Sequence, residues 1–266
     1  MIIGFWSEQA GRGYSTYNML ATAISLSSKI RNNVALMQGK RDYNRIEYAF
    51  VPYEENDILK EDYGYYNYKG MDTVINKMEA GILDEANYMN ELIRIQKSNL
   101  YYLRSGISVD TDGVYGRFSK IFDNYMRFLK VSNIVNFIEL SSGFEEINEE
   151  RLKVFDALVV NISQDGKGLK KILANEWIKD NAFFVVGCYD SDSEYNLNNL
   201  QRKYSLNNER LGMLPYSIKF RDAVCSGRCV EFYDRHKEDK REDGEYELIK
   251  CMNNISDMLI KGCGIH

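Results

Sequence analysis

The sequence predicts an α/β protein, a three-layer α/β/α sandwich with a mostly parallel central sheet. Short apolar runs typical of buried strands alternate along the chain with longer segments of helical periodicity. This alternation favours parallel strands with helices on both faces of the sheet. The chain has 266 residues, 44% of them hydrophobic, which is enough for one large domain with a full core. We therefore expect a single domain over residues 1–266, with a Tyr-rich irregular insertion at about residues 42–69.

The first three elements have the arrangement of a phosphate-binding loop. An apolar run at residues 1–6 predicts a buried strand, residues 7–13 are small, polar and glycine-bearing, and a helical pattern begins at Ser15. A strand, a glycine loop and a helix in this order direct backbone N–H groups toward a phosphate. The consensus loop ends in G-K-[ST], whereas this chain has Gly13, Tyr14 and Ser15. A tyrosine therefore stands where the cation is expected.

The remaining elements follow from the same patterns. Further strands are predicted at residues 33–37, 99–103, 134–140, 157–162, 182–187 and 210–214. Helices are predicted at residues 71–78, 83–95, 115–129, 169–178, 197–204 and 246–260. In parallel sheets, ligands bind beyond the carboxyl ends of the strands. We therefore expect one edge to be lined by the loops after Trp6, Met37, Leu103, Leu140 and Gly187.

Composition and charge argue against several classes of protein. The net charge is −5, so the chain lacks the basic face on which duplex DNA binding depends. No apolar run approaches the roughly 20 residues of a membrane span, and no signal peptide is visible. The five cysteines form no C-x-x-C pair and are accompanied by two histidines, which argues against a zinc site. We expect free thiols in a cytoplasmic protein, with Cys225 and Cys229 buried on one helical face.

The order of these loops resembles the ParA/MinD family of dimeric ATPases, which have the P-loop NTPase fold and a variant loop K-G-G-x-G-K-[ST]-[ST]. Residues 9–16 align with that loop. Residues 34–40 resemble the family's V-L-L-I-D-x-D strand, and residues 137–143 resemble its I-D-x-P-x-G strand. Residues 212–216, with 220–223 and Gly227, are similar to the family segment that wraps the nucleotide base. The resemblance covers the chain from Ile2 to about Phe232.

The resemblance also implies a set of site residues. A nucleotide would be held by Gly11, Arg12, Gly13, Tyr14, Ser15, Thr16 and Pro215. Ser15 and Glu139 would hold Mg²⁺ if the ion binds, and Glu139 and Gln38 are the candidates for a catalytic role. The implied cofactors are ATP or ADP with Mg²⁺.

Four positions depart from the family pattern. Gln9 and Tyr14 replace lysines, Gln38 replaces an aspartate, and Gly187 takes the place of an asparagine that reads adenine. Loss of one preorganised charge-stabilising group typically costs ~10²–10³ in rate. Several losses together predict that efficient ATP hydrolysis is gone.

Three side chains near these positions have two interpretations each. Arg12 either lies in solvent or reaches a phosphate, in its own subunit or across a dimer. Glu139 either serves Mg²⁺ through water or is a partly buried carboxylate hydrogen-bonded to the glycine loop. Tyr189 either stacks on a base or caps the core.

Within the family, the chain looks most like the divergent TadZ/CpaE-type members encoded with Flp/Tad pilus machinery. This resemblance implies a localisation or assembly factor for a pilus or secretion machine. It would be a homodimer with protein partners, and a partner would recruit it to the inner membrane face. The alternative is a working ATPase that uses Arg12, Ser15 and Glu139 in unconventional roles. A DNA-partitioning role is disfavoured by the net charge of −5.

Overall fold

The computed structural model describes residues 1–39, 46–51, 70–95, 98–104, 111–143 and 148–265, with the backbone alone at residues 111–115. Its strands are β1 Ile2–Trp6, β2 Asn33–Gln38, β3 Leu92–Arg94, β4 Leu100–Leu103, β5 Ile134–Glu139, β6 Ala157–Ile162, β7 Phe183–Tyr189 and β8 Leu211–Pro215. They form one sheet in the order β3-β4-β2-β5-β1-β6-β7-β8. The predicted α/β fold with a mostly parallel sheet is confirmed.

The helices pack on both faces of this sheet. They are α1 Ser15–Ser27, α2 Met71–Glu79, α3 Glu85–Glu91, α4 Thr111–Val131, α5 Glu149–Leu152, α6 Gly166–Leu173, α7 Glu176–Asn181, α8 Leu197–Tyr204, α9 Ile218–Cys225, α10 Cys229–His236 and α11 Tyr246–Cys263. A 3₁₀ turn, Ile46–Ala49, follows β2. Most of the Tyr-rich stretch at residues 42–69 lies outside the described residues.

Alternate side chains of each strand enter two separate cores. In β1, Ile3 and Phe5 join the core formed with α1, α9, α10 and α11. Ile2 and Trp6 join the core formed with α2 to α8. This division follows from the two-residue period of a strand, and it gives the three layers that the sequence predicts.

The predicted helix at residues 83–95 is wrong in its second half. The helix ends at Glu91, and Leu92–Arg94 forms β3, which pairs antiparallel with β4 from Leu92 opposite Leu103 to Arg94 opposite Tyr101. The cause is tertiary, because β4 has an edge whose backbone groups need partners. The backbone N–H of Ile95 also donates to the carbonyl oxygen of Leu100 at 2.9 Å.

Two other helical predictions need correction. The predicted helix at residues 169–178 is two helices, because the Asn175 side chain accepts a hydrogen bond from the backbone N–H of Ile178 and starts α7. Cys225 and Cys229 do not share a helical face. Cys225 is exposed at the end of α9, whereas Cys229 is buried at the start of α10.

The carboxyl ends of β1, β2, β5, β6, β7 and β8 lie at one edge of the sheet, because these strands are parallel. The edge carries the turn after Trp6, the ends of β2 and β5 at Gln38 and Glu139, and the end of β8 at Pro215. The sequence-predicted site residues therefore lie along this edge. Among the described helices, none is long and apolar enough to cross a membrane.

Candidate functional site

The turn between β1 and α1, residues 7–14, is packed closely against β6. Gly11 has a φ of +73°, a conformation that favours glycine. A Cβ atom on Gly13 would collide with the Ser7 hydroxyl and would lie 2.7 Å from the carbonyl oxygen of Asn161. Glycine at position 13 is therefore required by the close approach of the turn to the end of β6.

Two buried asparagines hold this turn in place. The Asn18 side-chain amide donates to the Gly13 carbonyl oxygen at 3.1 Å and to the Asn161 side-chain oxygen at 2.9 Å. The Asn161 amide in turn donates to the Trp6 carbonyl oxygen at 3.1 Å and to the Ser15 hydroxyl at 3.3 Å. Both asparagines are almost completely buried. The turn, α1 and β6 are thus joined by hydrogen bonds within the protein.

Glu139 ends β5 and is fully buried. One carboxyl oxygen accepts a hydrogen bond from the Thr16 hydroxyl, and the other accepts one from the Gln38 side-chain amide at 3.1 Å. The Gln38 side-chain oxygen accepts a hydrogen bond from the backbone N–H of Ile46 at 3.0 Å. Both carboxyl oxygens of Glu139 therefore already have protein donors.

Two ion pairs connect the turn to the start and the last turn of α6. Arg12 contacts Asp165 at 3.4 Å, and its side chain is 67% exposed. Glu8, whose side chain is buried, pairs with Lys171. An exposed pair such as the first contributes at most about 1 kcal/mol to stability. Arg12 therefore lies largely in solvent, on the rim of the turn.

Gln9 lies between these two pairs and faces α6. A Cβ atom on Gly168 would lie 3.4 Å from the Gln9 side-chain nitrogen. The adjoining cavity has a volume of about 10 Å³ and is lined by Ser7, Glu8, Arg12, Gly13, Asn161 and Ser163. A cavity of this size accommodates about one water molecule.

Tyr14 has an unusual backbone and an unusual neighbour. Its φ is 54°, and its side chain packs against Gly187, where a Cβ atom would lie 2.9 Å from that of Tyr14. The neighbouring Cys188 side chain raises the pKa of the Tyr14 hydroxyl. The Tyr14 side chain therefore lies against the end of β7.

The end of β8 completes the edge. Pro215 pairs with Tyr189 of β7, and the Tyr189 hydroxyl accepts a hydrogen bond from the backbone N–H of Leu197 at 3.3 Å. Tyr189 also packs against the core, which favours its interpretation as a core cap. Tyr216 is 43% exposed, and the Arg221 guanidinium lies 5.6 Å from its ring centre.

The chain matches no family model and no curated protein, but it has clear structural relatives. The Pyrococcus furiosus cell division ATPase MinD is 14% identical over 98% of both chains, with a TM-score of 0.68. A ParA family ATPase from Chlorobium tepidum TLS is 11% identical over 96% of both chains, with a TM-score of 0.67. The septum site-determining protein MinD from Pyrococcus horikoshii OT3, complexed with Mg-ADP, is 15% identical over 99% of this chain and 97% of its own, with a TM-score of 0.66.

The fold is that of the ParA/MinD ATPases. At 11% to 15% identity, the relationship establishes the shared architecture. It confirms the P-loop NTPase fold that the order of motifs predicts.

The ParA/MinD-like fold brings the sequence-predicted residues to one edge, but its contacts differ from the implied metal site. Thr16, rather than Ser15, is hydrogen-bonded to Glu139, and the Ser15 hydroxyl accepts from Asn161. Mg²⁺ prefers tight octahedral geometry with one or two carboxylates and several waters. Fully buried Glu139, with both oxygens bonded, does not fit that requirement. No group of three or more His, Cys, Asp or Glu suited to a metal is found in the described part of the chain.

Sequence reasoning missed the two asparagines and the packing of Tyr14 against Gly187. Asn18 lies among apolar residues of the α1 pattern, and Asn161 interrupts an otherwise apolar strand. A polar residue in a buried run signals an internal hydrogen-bond partner, so these positions were detectable. The packing of Tyr14 against Gly187 carries no such signal, because it depends on the close approach of the turn to β7.

Proposed function

We propose that this protein is a ParA/MinD-like scaffold that has lost efficient ATP hydrolysis and acts as a localisation or assembly factor for a pilus or secretion machine. It works as a cytoplasmic homodimer with protein partners, one of which recruits it to the inner membrane face. One observation carries the proposal. The polar groups implied for Mg²⁺, on Ser15 and Glu139, are already hydrogen-bonded to other protein groups, as is the neighbouring Thr16 hydroxyl.

The charges at the edge support the same conclusion. Transfer of a phosphoryl group depends on positive charge placed at the β- and γ-phosphates. Gln9 and Tyr14 supply none, and the Arg12 side chain in the turn is paired with Asp165. Glu139 is buried nearby. Among the described residues of the turn, this edge thus places no unpaired cation where hydrolysis would need one.

The proposed role as a localisation factor is supported by the structural relatives. These relatives are a cell division ATPase, a septum site-determining protein and a ParA family ATPase. The second of these sets the site of another cellular structure, the septum. Assignment to pilus or secretion machinery rests on the divergent turn at residues 9–16, which resembles that of the TadZ/CpaE-type branch.

A nucleotide titration tests the loss of hydrolysis. Wild-type protein is titrated with Mg-ATP by calorimetry, and phosphate release is followed in parallel with the Glu139→Ala variant. We expect no release above the buffer rate in either protein. Micromolar Mg-ATP binding, together with turnover that Glu139→Ala abolishes, would show that the protein is an enzyme. Glu209→Ala, which removes an exposed carboxylate in the turn just before β8, is the matched control.

One observation favours the alternative of a working ATPase. The Arg12 side chain is 67% exposed and its ion pair spans 3.4 Å, so it can leave Asp165 at little cost. It would then supply a cation to a phosphate, with Ser15 and Glu139 assisting. In that case Arg12→Ala would abolish turnover measured in the same assay.

The partner assignment is tested separately. Cross-linking followed by purification of the tagged protein from its native cytoplasm is expected to recover a pilus or secretion component. Recovery of no such component at native expression levels would contradict the assignment. Sedimentation equilibrium of the purified protein tests the homodimer, and a monomer at tens of micromolar would count against it.

A further inference from the structure

The cavity between the turn at residues 7–14 and α6 is bordered by buried oxygen atoms that lack partners. Its volume is about 10 Å³, and Glu8 and Gln9 both line it. Within the described part of the chain, the Glu8 Oε2 atom and the Gln9 Oε1 atom are buried and have no hydrogen-bond partner. An ionised carboxylate and an amide oxygen can only accept hydrogen bonds. Buried polar atoms without a partner carry a free-energy cost, so this pair requires an explanation.

Three polar side chains that line the same cavity donate their protons elsewhere. The Ser7 hydroxyl donates to the Gln9 carbonyl oxygen at 2.9 Å, which leaves the Ser7 oxygen with lone pairs. The Asn161 side-chain amide donates to two other protein groups, and the Arg12 guanidinium contacts Asp165 on the exposed rim. The side chains of the wall therefore present mainly oxygen acceptors. A water molecule has two protons for them and little to accept from in return.

The charge of Glu8 also favours a cation in this cavity. Its other carboxyl oxygen pairs with Lys171, whose side chain is 62% exposed, whereas the Glu8 side chain is 7% exposed. Solvent screens the charge of an exposed lysine, so the pair leaves part of the carboxylate charge uncompensated inside the turn. Burial of a carboxylate is costly unless it is paired. A second cation at the inner oxygen would lower that cost.

We propose that this cavity binds one monovalent cation of about the size of a water molecule, potassium or ammonium. Its protein ligands are Glu8 Oε2, Gln9 Oε1 and the Ser7 hydroxyl oxygen. A divalent ion such as Mg²⁺ does not fit, because Mg²⁺ keeps several water molecules and the cavity accommodates only about one. The bound ion joins the turn to α6, because Gly168 and Leu169 of that helix also line the cavity.

The melting temperature of the nucleotide-free protein in different chloride salts tests the site. Potassium chloride and ammonium chloride are each titrated against choline chloride at constant ionic strength, because choline is too large for the cavity. We expect both ions to raise the melting temperature saturably, by about 3 °C at the plateau, and the two midpoints rank the ions. The same melting temperature in all three salts would overturn the proposal, since the cavity would then bind only water.

Two variants distinguish an ion site from an ordinary ion pair. Glu8→Gln should abolish the shift. Lys171→Ala should make potassium bind about two- to fivefold more tightly, because the carboxylate loses its protein cation. An equal loss of stability in every salt would instead mean that the pair is purely structural, and would contradict the proposal. Glu176→Gln, at an exposed carboxylate in the first turn of α7, is the matched control and should keep the wild-type shift.

Gly168→Ala provides a test that does not depend on the folding of Glu8→Gln. A Cβ atom at position 168 would lie 3.4 Å from the Gln9 side-chain nitrogen, an ordinary contact that narrows the cavity. Alanine also suits a helix interior better than glycine. We therefore expect a folded protein with a reduced potassium shift, and an undiminished shift would count against this cavity as the site.

A thallium(I) soak of crystals locates the ion directly. An anomalous peak within bonding distance of Glu8 Oε2 and Gln9 Oε1 would support the site, and an ordered water there without a peak would refute it. None of these measurements includes nucleotide. Their outcome is therefore independent of whether the protein hydrolyses ATP.

Discussion

Thr16 donates a hydrogen bond from its hydroxyl group to the fully buried carboxyl group of Glu139. The bond links the first turn of α1 to the end of β5, across 123 positions of the sequence. In the ParA/MinD pattern these are places where a nucleotide and its metal would be held. In this chain the two side chains are hydrogen-bonded to each other, so the contact stabilises the fold.

Thr16→Val should therefore lower the free energy of unfolding by about 1–3 kcal/mol, the cost of removing a donor from a buried acceptor. Urea denaturation at neutral pH measures the change, and the slope of the transition should stay constant. Ser191→Ala, at an exposed turn position, should remain within about 0.5 kcal/mol of wild type. Equal stability of Thr16→Val and wild type would mean that this hydrogen bond has no structural role.

Asn161→Ala should destabilise the protein by about 2–4 kcal/mol, because buried polar groups on Trp6 and Asn18 and the partly buried hydroxyl of Ser15 would each lose a hydrogen-bond partner. Asn181→Ala is the control, since its side chain is exposed and bonds only locally, to Trp177. Thermal unfolding compares the two variants. A similar small loss in both would contradict the role assigned to Asn161.

Ser205→Gly should stabilise the protein by about 0.5–1 kcal/mol. Ser205 ends α8 with a φ of 55°, and glycine adopts this left-handed conformation without the steric cost of a Cβ atom. Ser226 ends α9 with a φ of −98°, so Ser226→Gly should destabilise by a similar amount through the entropy of the unfolded chain. Chemical denaturation gives both values. A loss of stability in Ser205→Gly would show that its hydroxyl outweighs the backbone strain.

Stability should fall as the pH rises from about 9 to about 11. Burial raises the pKa of the Cys251 thiol from its ordinary value of 9.0 to about 11. Above pH 9 the unfolded chain releases this proton before the folded chain does, so the folded state loses relative stability until its own pKa is passed. Cys251→Ala should make the fall between pH 9 and 11 shallower, as followed by urea midpoints. The same slope in the variant would exclude Cys251 as a source.

The sequence predicted helices and strands best where a long pattern was buried against the main sheet. The strand at residues 134–140 and the helix at residues 197–204 agree with β5 and α8. The failure at β3 has a physical cause, because a three-residue segment with two apolar residues fits a helix end as well as a strand. Pairing with β4 selected the strand.

The sequence predicted the location of the candidate site residues better than it predicted their hydrogen-bond partners. The loops were assigned to one edge because parallel strands end together. Their hydrogen bonds were not foreseen, since a one-residue change in the rotation of α1 decides whether Ser15 or Thr16 contacts Glu139. The separation of Cys225 and Cys229 was not foreseen either. Gly227 lies between the two helices with a φ of +73°, a conformation that interrupts a continuous helix.

Pattern and composition therefore specify the α/β architecture, the glycine turn before α1 and the absence of the usual lysine at Tyr14. They do so because periodicity and residue type are local properties of the chain. The hydrogen bond between Thr16 and Glu139 and the contact of Tyr14 with Gly187 depend on three-dimensional packing. These partners are 123 and 173 positions apart, and they meet only when the sheet brings the ends of β1, β5 and β7 to one edge.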